Sequence, residues 1–155
     1  MKGQLFSSDL IAAISIFLVL ISLMTFSYSQ ILDSHQRDLQ RKGLELDGMK
    51  FAENLLRTKG LPENWEDLSD PIVLGLSSGN NNILDNSKVD KFFSLEYDSI
   101  KNISKIGSDF ELKFVNSGKT KGSSPNSAVE NVIFLRRFAL YNNSMERIEL
   151  KLWNQ

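Results

Sequence analysis

The stretch from Leu10 to Leu32, LIAAISIFLVLISLMTFSYSQIL, contains no charged residue. As a helix it would be roughly 34 Å long at 1.5 Å per residue, enough to cross a hydrocarbon core of about 30 Å. It is much too long for an ordinary amphipathic core helix. Ser15, Ser22 and Thr25 do not interrupt it, because a helical hydroxyl can bond back to a carbonyl one turn earlier. No Pro or Gly lies between Gln4 and Leu32. The segment therefore reads as a membrane-spanning helix, and the rest of the chain as the cargo it anchors.

The remainder is a polar sequence of a size for one globular core. A formal net charge of -1 with no basic block gives no footprint for nucleic acid. With no Cys and a single His, His35, disulfides and thiolate metal sites are excluded and a zinc site is not expected. No cofactor is expected either: there is no phosphate-binding Gly-rich loop, no His-x-x-x-His and no Gly-x-Ser-x-Gly. Asp85, Asp90 and Asp98 lack the central Gly and closing Glu of a calcium loop. Carboxylates are numerous, but none sits paired inside an apolar run where a raised pKa would make a general acid. The chain does not read as an enzyme.

Three readings of the N-terminus compete on residues alone. A secretory signal has an apolar core of about 7–15 residues and a small-x-small cleavage site, for which Ser27-Tyr28-Ser29 would serve. A plain uncleaved anchor is the second. The third rests on Lys2-Gly3-Gln4-Leu5 directly before the apolar run. This motif resembles the cleavage site of type IV pilin precursors, the archaeal ones in particular. The resemblance implies that the membrane-embedded prepilin peptidase cuts after Gly3, leaving Gln4 as the mature N-terminus. It also implies an acid near the start of the mature helix that supports assembly. Members of the family carry Glu at the fifth mature position; here that position is Ser8, and the acid is Asp9. Cleavage would create an amine on Gln4 with an ordinary pKa near 8. Gln4 and Asp9 would lie about 7.5 Å apart along one helix and 500° around it. The amine of a neighbouring subunit is thus the better partner for Asp9.

Beyond Ile31 the apolar residues take a helical spacing. Leu32, Leu39 and Leu46 fall seven apart, with Met49, Ala52, Leu55 and Leu56 continuing the stripe. Charged residues fill the other side, and His35 reads as a partly buried packing residue. Gly43 and Gly48 weaken the helix by about 1 kcal/mol each relative to Ala and suggest a bend. Lys59-Gly60, followed by Pro62, ends the pattern. The expected organisation is a leader at 1–3, a transmembrane and stalk helix at 4–59, and a head domain at 60–155.

In the head, Pro62 and Pro71 exclude a long helix from the bridge after Gly60. Trp65 is expected to cover the base of the core, and Ile72–Leu74 to form a short strand. Gly60, Pro62 and Trp65, with Leu74-Gly75-Leu76, Leu84 and Lys88, are similar to the connecting region of archaeal pilin-like proteins. A short helix capped by Asn86 or Ser87 would bury Val89, Phe92 and Phe93. A second, from Ser99 to Ile106, would be capped by Asp98 or Ser99. The apolar period then changes to two: Phe110, Leu112 and Phe114 in a strand over Asp109–Val115, an exposed loop over 116–125, and a strand over Val132–Tyr141. In that strand Val132, Phe134, Phe138 and Leu140 share a parity interrupted by Arg136. An inward Arg136 would need a carboxylate partner; a sheet edge or surface position is the simpler expectation. Asn142-Asn143-Ser144 is the turn of a hairpin to a last strand, Arg147–Trp153. The fold class is α+β: a long N-terminal helix carrying a small antiparallel sheet with short helices.

The resemblance implies a structural subunit, minor or adaptor in kind, of a cell-surface filament. Its partners would be the membrane, the prepilin peptidase and other pilin subunits through the N-terminal helix. The head would be extracellular, although Arg37, Arg41 and Lys42 against Lys2 favour the opposite orientation by positive-residue count. The alternative is a single-pass, membrane-anchored binding or accessory domain that does not polymerise. Asn102 and Asn142 fit the N-glycosylation acceptor pattern.

Overall fold

The computed structural model describes residues 2–68, 71–80, 82–127, 129 and 131–154, with side chains from residue 8 onward. The elements in chain order are α1 (Lys2–Arg57), a 3-10 turn (Trp65–Asp67), α2 (Asn86–Ser94), α3 (Tyr97–Ser104), β1 (Asp109–Phe114), β2 (Thr120–Gly122), β3 (Val132–Tyr141) and β4 (Ser144–Trp153). The chain is α+β, as its patterning predicts. It falls into two compact units, one up to Gln40 and one from Arg41 onward, so the last turns of α1 belong to the head.

The head is a four-stranded antiparallel sheet in the order β2-β1-β4-β3. Its core face carries Phe110, Leu112 and Phe114 from β1, and Ile148, Leu150 and Leu152 from β4, all buried. Leu44, Phe51, Ala52, Leu55 and Leu56 of α1 are buried in the same core, a spacing of three and four that lines one helix face. Phe51 meets Phe110 with ring centroids 5.2 Å apart. Gly48 belongs to this contact: a Cβ there would stand 2.9 Å from Leu152 Cδ1 and 3.1 Å from Leu135 Cδ1. Its role is close packing, and α1 is helical through both Gly43 and Gly48. Trp65 is fully buried within the core cluster and donates its Nε1–H to the Gly75 carbonyl at 2.8 Å.

Several expectations are corrected. Leu32, Leu39 and Leu46 are exposed, and the buried face of α1 in the head runs through Leu44, Phe51 and Leu55 instead. His35 is also exposed. The cap of α2 is Asp85, whose Oδ1 accepts from the amides of Ser87 at 2.9 Å and Lys88 at 3.2 Å. Helix α3 starts two residues earlier than predicted and ends on Lys105 in the left-handed region. The segment 72–74 contributes one bridge, Leu61 to Val73, rather than a strand. Thr120–Gly122, expected as loop, pairs with β1 as β2. Finally, β3 turns Ile133, Ala139 and Tyr141 toward the core, and Val132, Phe134, Arg136, Phe138 and Leu140 outward. The reason is register. Asn142 (φ 50°) and Asn143 (φ 61°) make a two-residue turn with both residues left-handed, the geometry preferred for tight hairpins. This turn pairs Leu135 with Leu150 and Ile133 with Leu152. Residues paired directly opposite share a face, so β4 decides which parity of β3 is inward.

Candidate functional site

No side chain of the Leu10–Leu32 segment is buried in the structure. Its hydroxyls are satisfied within the helix. Ser15 donates to the Ile11 carbonyl at 2.8 Å, Ser22 to Leu18 at 2.8 Å, Thr25 to Ile21 at 3.0 Å and Ser27 to Leu23 at 2.9 Å. The helix therefore presents a nearly hydrocarbon surface, with every backbone group bonded internally away from its ends. These are the two conditions a segment must meet to reside in a bilayer. Among the described residues this is one helix long and apolar enough to cross a membrane.

Lys2, Gly3 and Gln4 lie in the backbone of α1, and the side chains of residues 2–7 lie outside the described residues. Asp9 is exposed and, among the described residues, makes no ion pair. Placed at the edge of an apolar segment, an ionised carboxylate is costly unless it is hydrated or paired.

In the head, charged groups tie loops to the core. Lys88, 4 % exposed, points its ammonium into the bridge after α1. It donates to the carbonyl oxygens of Lys59 at 2.7 Å and Glu63 at 2.5 Å, and lies 3.9 Å from Glu66 Oε2. Glu146, 1 % exposed, accepts from the amides of Asn116 at 2.7 Å and Ser117 at 3.0 Å, clamping the β1–β2 turn. Lys101 donates to Asp109 at 2.6 Å, and this bond raises the lysine above its ordinary pKa. Lys119 bonds both Asp90 and the Tyr141 hydroxyl. Burial alone would push the Glu111 carboxyl up; bonds from Lys151 at 2.6 Å and Ser124 at 2.7 Å outweigh it and hold the pKa below the usual value. Sequence patterning singled out none of these pairs, because each joins residues on different segments of the fold.

A cleft of about 390 Å³ lies between α1, the segment 72–74 and the end of α3. Phe51, Leu74 and Ile106 line it along with Asp47 and Lys50, neither of which forms an ion pair among the described residues. Among the described residues no group of three or more His, Asp or Glu could hold a metal ion. Arg136 is at the surface of the sheet and has a carboxylate partner: it donates to Glu149 at 3.2 Å and lies over the Phe134 ring, 5.4 Å from the centroid. Asn102 is exposed on α3 and Asn142 is exposed at the β3–β4 turn.

Comparison with known protein families, with curated proteins and with solved structures finds no match.

Proposed function

We propose that this chain is a type IV pilin-like structural subunit, minor or adaptor in kind, of a cell-surface filament. The observation that carries the reading is the wholly exposed, internally hydrogen-bonded apolar helix set directly behind Lys2-Gly3-Gln4. Before assembly the helix holds the protein in the membrane as a single pass, with the head outside the cell. Prepilin peptidase cuts after Gly3. The freed helices of neighbouring subunits then pack side by side, exchanging lipid for protein contact. The exposed Leu32 and Leu39 extend the apolar surface available for that packing. Asp9 accepts the new amine of a neighbour, and the charged pairs of the head serve to keep the sheet folded in solvent.

The test is N-terminal sequencing of the native protein. A start at Gln4 is expected. Met1 would leave a plain anchor, and Gln30 would mean a cleaved secretory signal. The plain anchor is the second reading: a non-polymerising, membrane-tethered binding or accessory domain. It is favoured by Arg37, Arg41 and Lys42, whose charge draws the head side of the helix toward the cytoplasm.

A further inference from the structure

We propose that the cleft between α1, the segment 72–74 and the end of α3 binds an extended acidic peptide segment of a partner protein, which pairs with the backbone of Leu74 as an added strand. The cleft lies wholly within the unit that begins at Arg41, so the inference holds however the N-terminus is processed. Its volume is about 390 Å³, within the range of about 300–1,000 Å³ usual for ligand pockets.

The backbone of Leu74 is the central observation. Leu74 lines the cleft and is 3 % exposed. Among the described residues, neither its N–H nor its C=O meets a hydrogen-bonding group. Buried backbone groups are nearly always paired, because an unpaired one costs about as much as a lost hydrogen bond. Its neighbours are engaged elsewhere. Val73 donates to the Leu61 carbonyl at 3.1 Å and accepts from the Leu61 N–H at 2.9 Å. The Gly75 carbonyl accepts from Trp65. Leu61 thus occupies one edge of this short segment. Successive residues of an extended chain direct their backbone groups to opposite edges, so Leu74 presents its pair to the edge that Leu61 leaves open. A donor and an acceptor on one residue, open along one edge, are what an antiparallel strand engages with two bonds at once.

The surrounding side chains specify the rest of the ligand. Phe51, Leu74 and Ile106, all buried, line the cleft, and Ile72 adds an apolar side chain that is 66 % exposed. A residue paired opposite Leu74 places its side chain on the same face as that of Leu74, which favours an apolar residue there. Lys50 lines the cleft from α1 and Lys105 from the end of α3, against the single carboxylate of Asp47. None of the three forms an ion pair among the described residues. The surplus of positive charge selects acidic residues on either side of the apolar one.

The experiment is an NMR titration of the full chain in detergent, isotopically labelled at nitrogen, with a capped Thr-Glu-Val-Glu-Thr peptide. The expected result is a saturable downfield shift of the Leu74 amide proton, with a dissociation constant below about 1 mM. Two N-methylated peptides separate strand pairing from side-chain contact. Methylation at Val removes the N–H offered to Leu74 and should weaken binding about tenfold. Methylation at the Glu that follows, whose N–H faces away, should leave binding nearly unchanged. Lys50→Glu with Lys105→Glu, both at exposed positions, should reverse the preference between this peptide and its Thr-Lys-Val-Lys-Thr counterpart. Asn54→Trp, at an exposed position lining the cleft, should block both peptides with the circular dichroism of the chain unchanged. Equal weakening by the two methylated peptides would overturn the pairing, and a preference of the natural chain for the lysine peptide would overturn the choice of an acidic partner. Binding that survives Asn54→Trp would place the peptide elsewhere and overturn the site. So would a Leu74 amide that no peptide shifts, which would leave water as its partner.

Discussion

The ammonium of Lys88 donates to the backbone carbonyl of Glu63 at 2.5 Å, across twenty-five positions of sequence. It does so from a nearly fully buried site at the start of α2. Glu66 Oε2 is buried without a hydrogen bond, 3.9 Å from the same ammonium. The ammonium of Lys88 is the cation beside that buried oxygen. Lys88→Met should therefore cost about 3–5 kcal/mol, the usual penalty for removing one member of a buried pair. Lys88→Met with Glu66→Gln should recover part of it. Urea melts of the head measure both, and equal losses for the single and double variants would show that the carboxylate needs no partner.

These melts presuppose an autonomous head. A fragment beginning near Ile31 should be soluble and show the circular dichroism of a mixed helix and antiparallel sheet. Helix alone, or a disordered chain, would contradict the organisation proposed here. Within it, Phe114 is fully buried and meets Phe93 and Tyr141 edge to face. Phe114→Ala should cost about 3–5 kcal/mol, and a loss under about 1 kcal/mol would be incompatible with that packing.

The Glu111–Lys151 pair sets an acid dependence. Burial opposes ionisation of Glu111, but the bonds from Lys151 and Ser124 prevail and its folded pKa lies below the ordinary value of 4.5. The unfolded state then takes up the proton first as pH falls. The stability that this group contributes is present above 4.5 and is lost as pH drops through the folded pKa. Glu111→Gln should flatten the stability profile of the head below that point and leave its slope near neutrality unchanged. A parallel profile for the variant and the natural chain would show that Glu111 titrates alike in both states.

Asp9 tests assembly separately from anchoring. Asp9→Ala should leave cleavage after Gly3 and membrane insertion intact while reducing incorporation into filaments, and Asp9→Glu should retain incorporation. Immunoblots of sheared filaments against membranes make the comparison. Normal incorporation of Asp9→Ala would remove the carboxylate–amine mechanism without touching the anchor.

Local pattern alone determined much of this protein. A charge-free run cannot be other than lipid-like as a helix, because every side of it is apolar. The period-two alternations located β1, β3 and β4, and the Asn142-Asn143 pair located their hairpin, because strand period and left-handed turn preference are properties of adjacent residues. Tertiary pairing decided the rest. Both parities of β3 are apolar enough to be a core face, and only its pairing with Ile148, Leu150 and Leu152 of β4 turned Phe134 and Phe138 outward. Leu46 is as apolar as Leu44, yet the sheet meets α1 along the line of Leu44, Gly48 and Phe51, where the absent Cβ lets the two approach. The burial of Lys88 depends on two carbonyl oxygens that the bridge brings to it only when the head is folded.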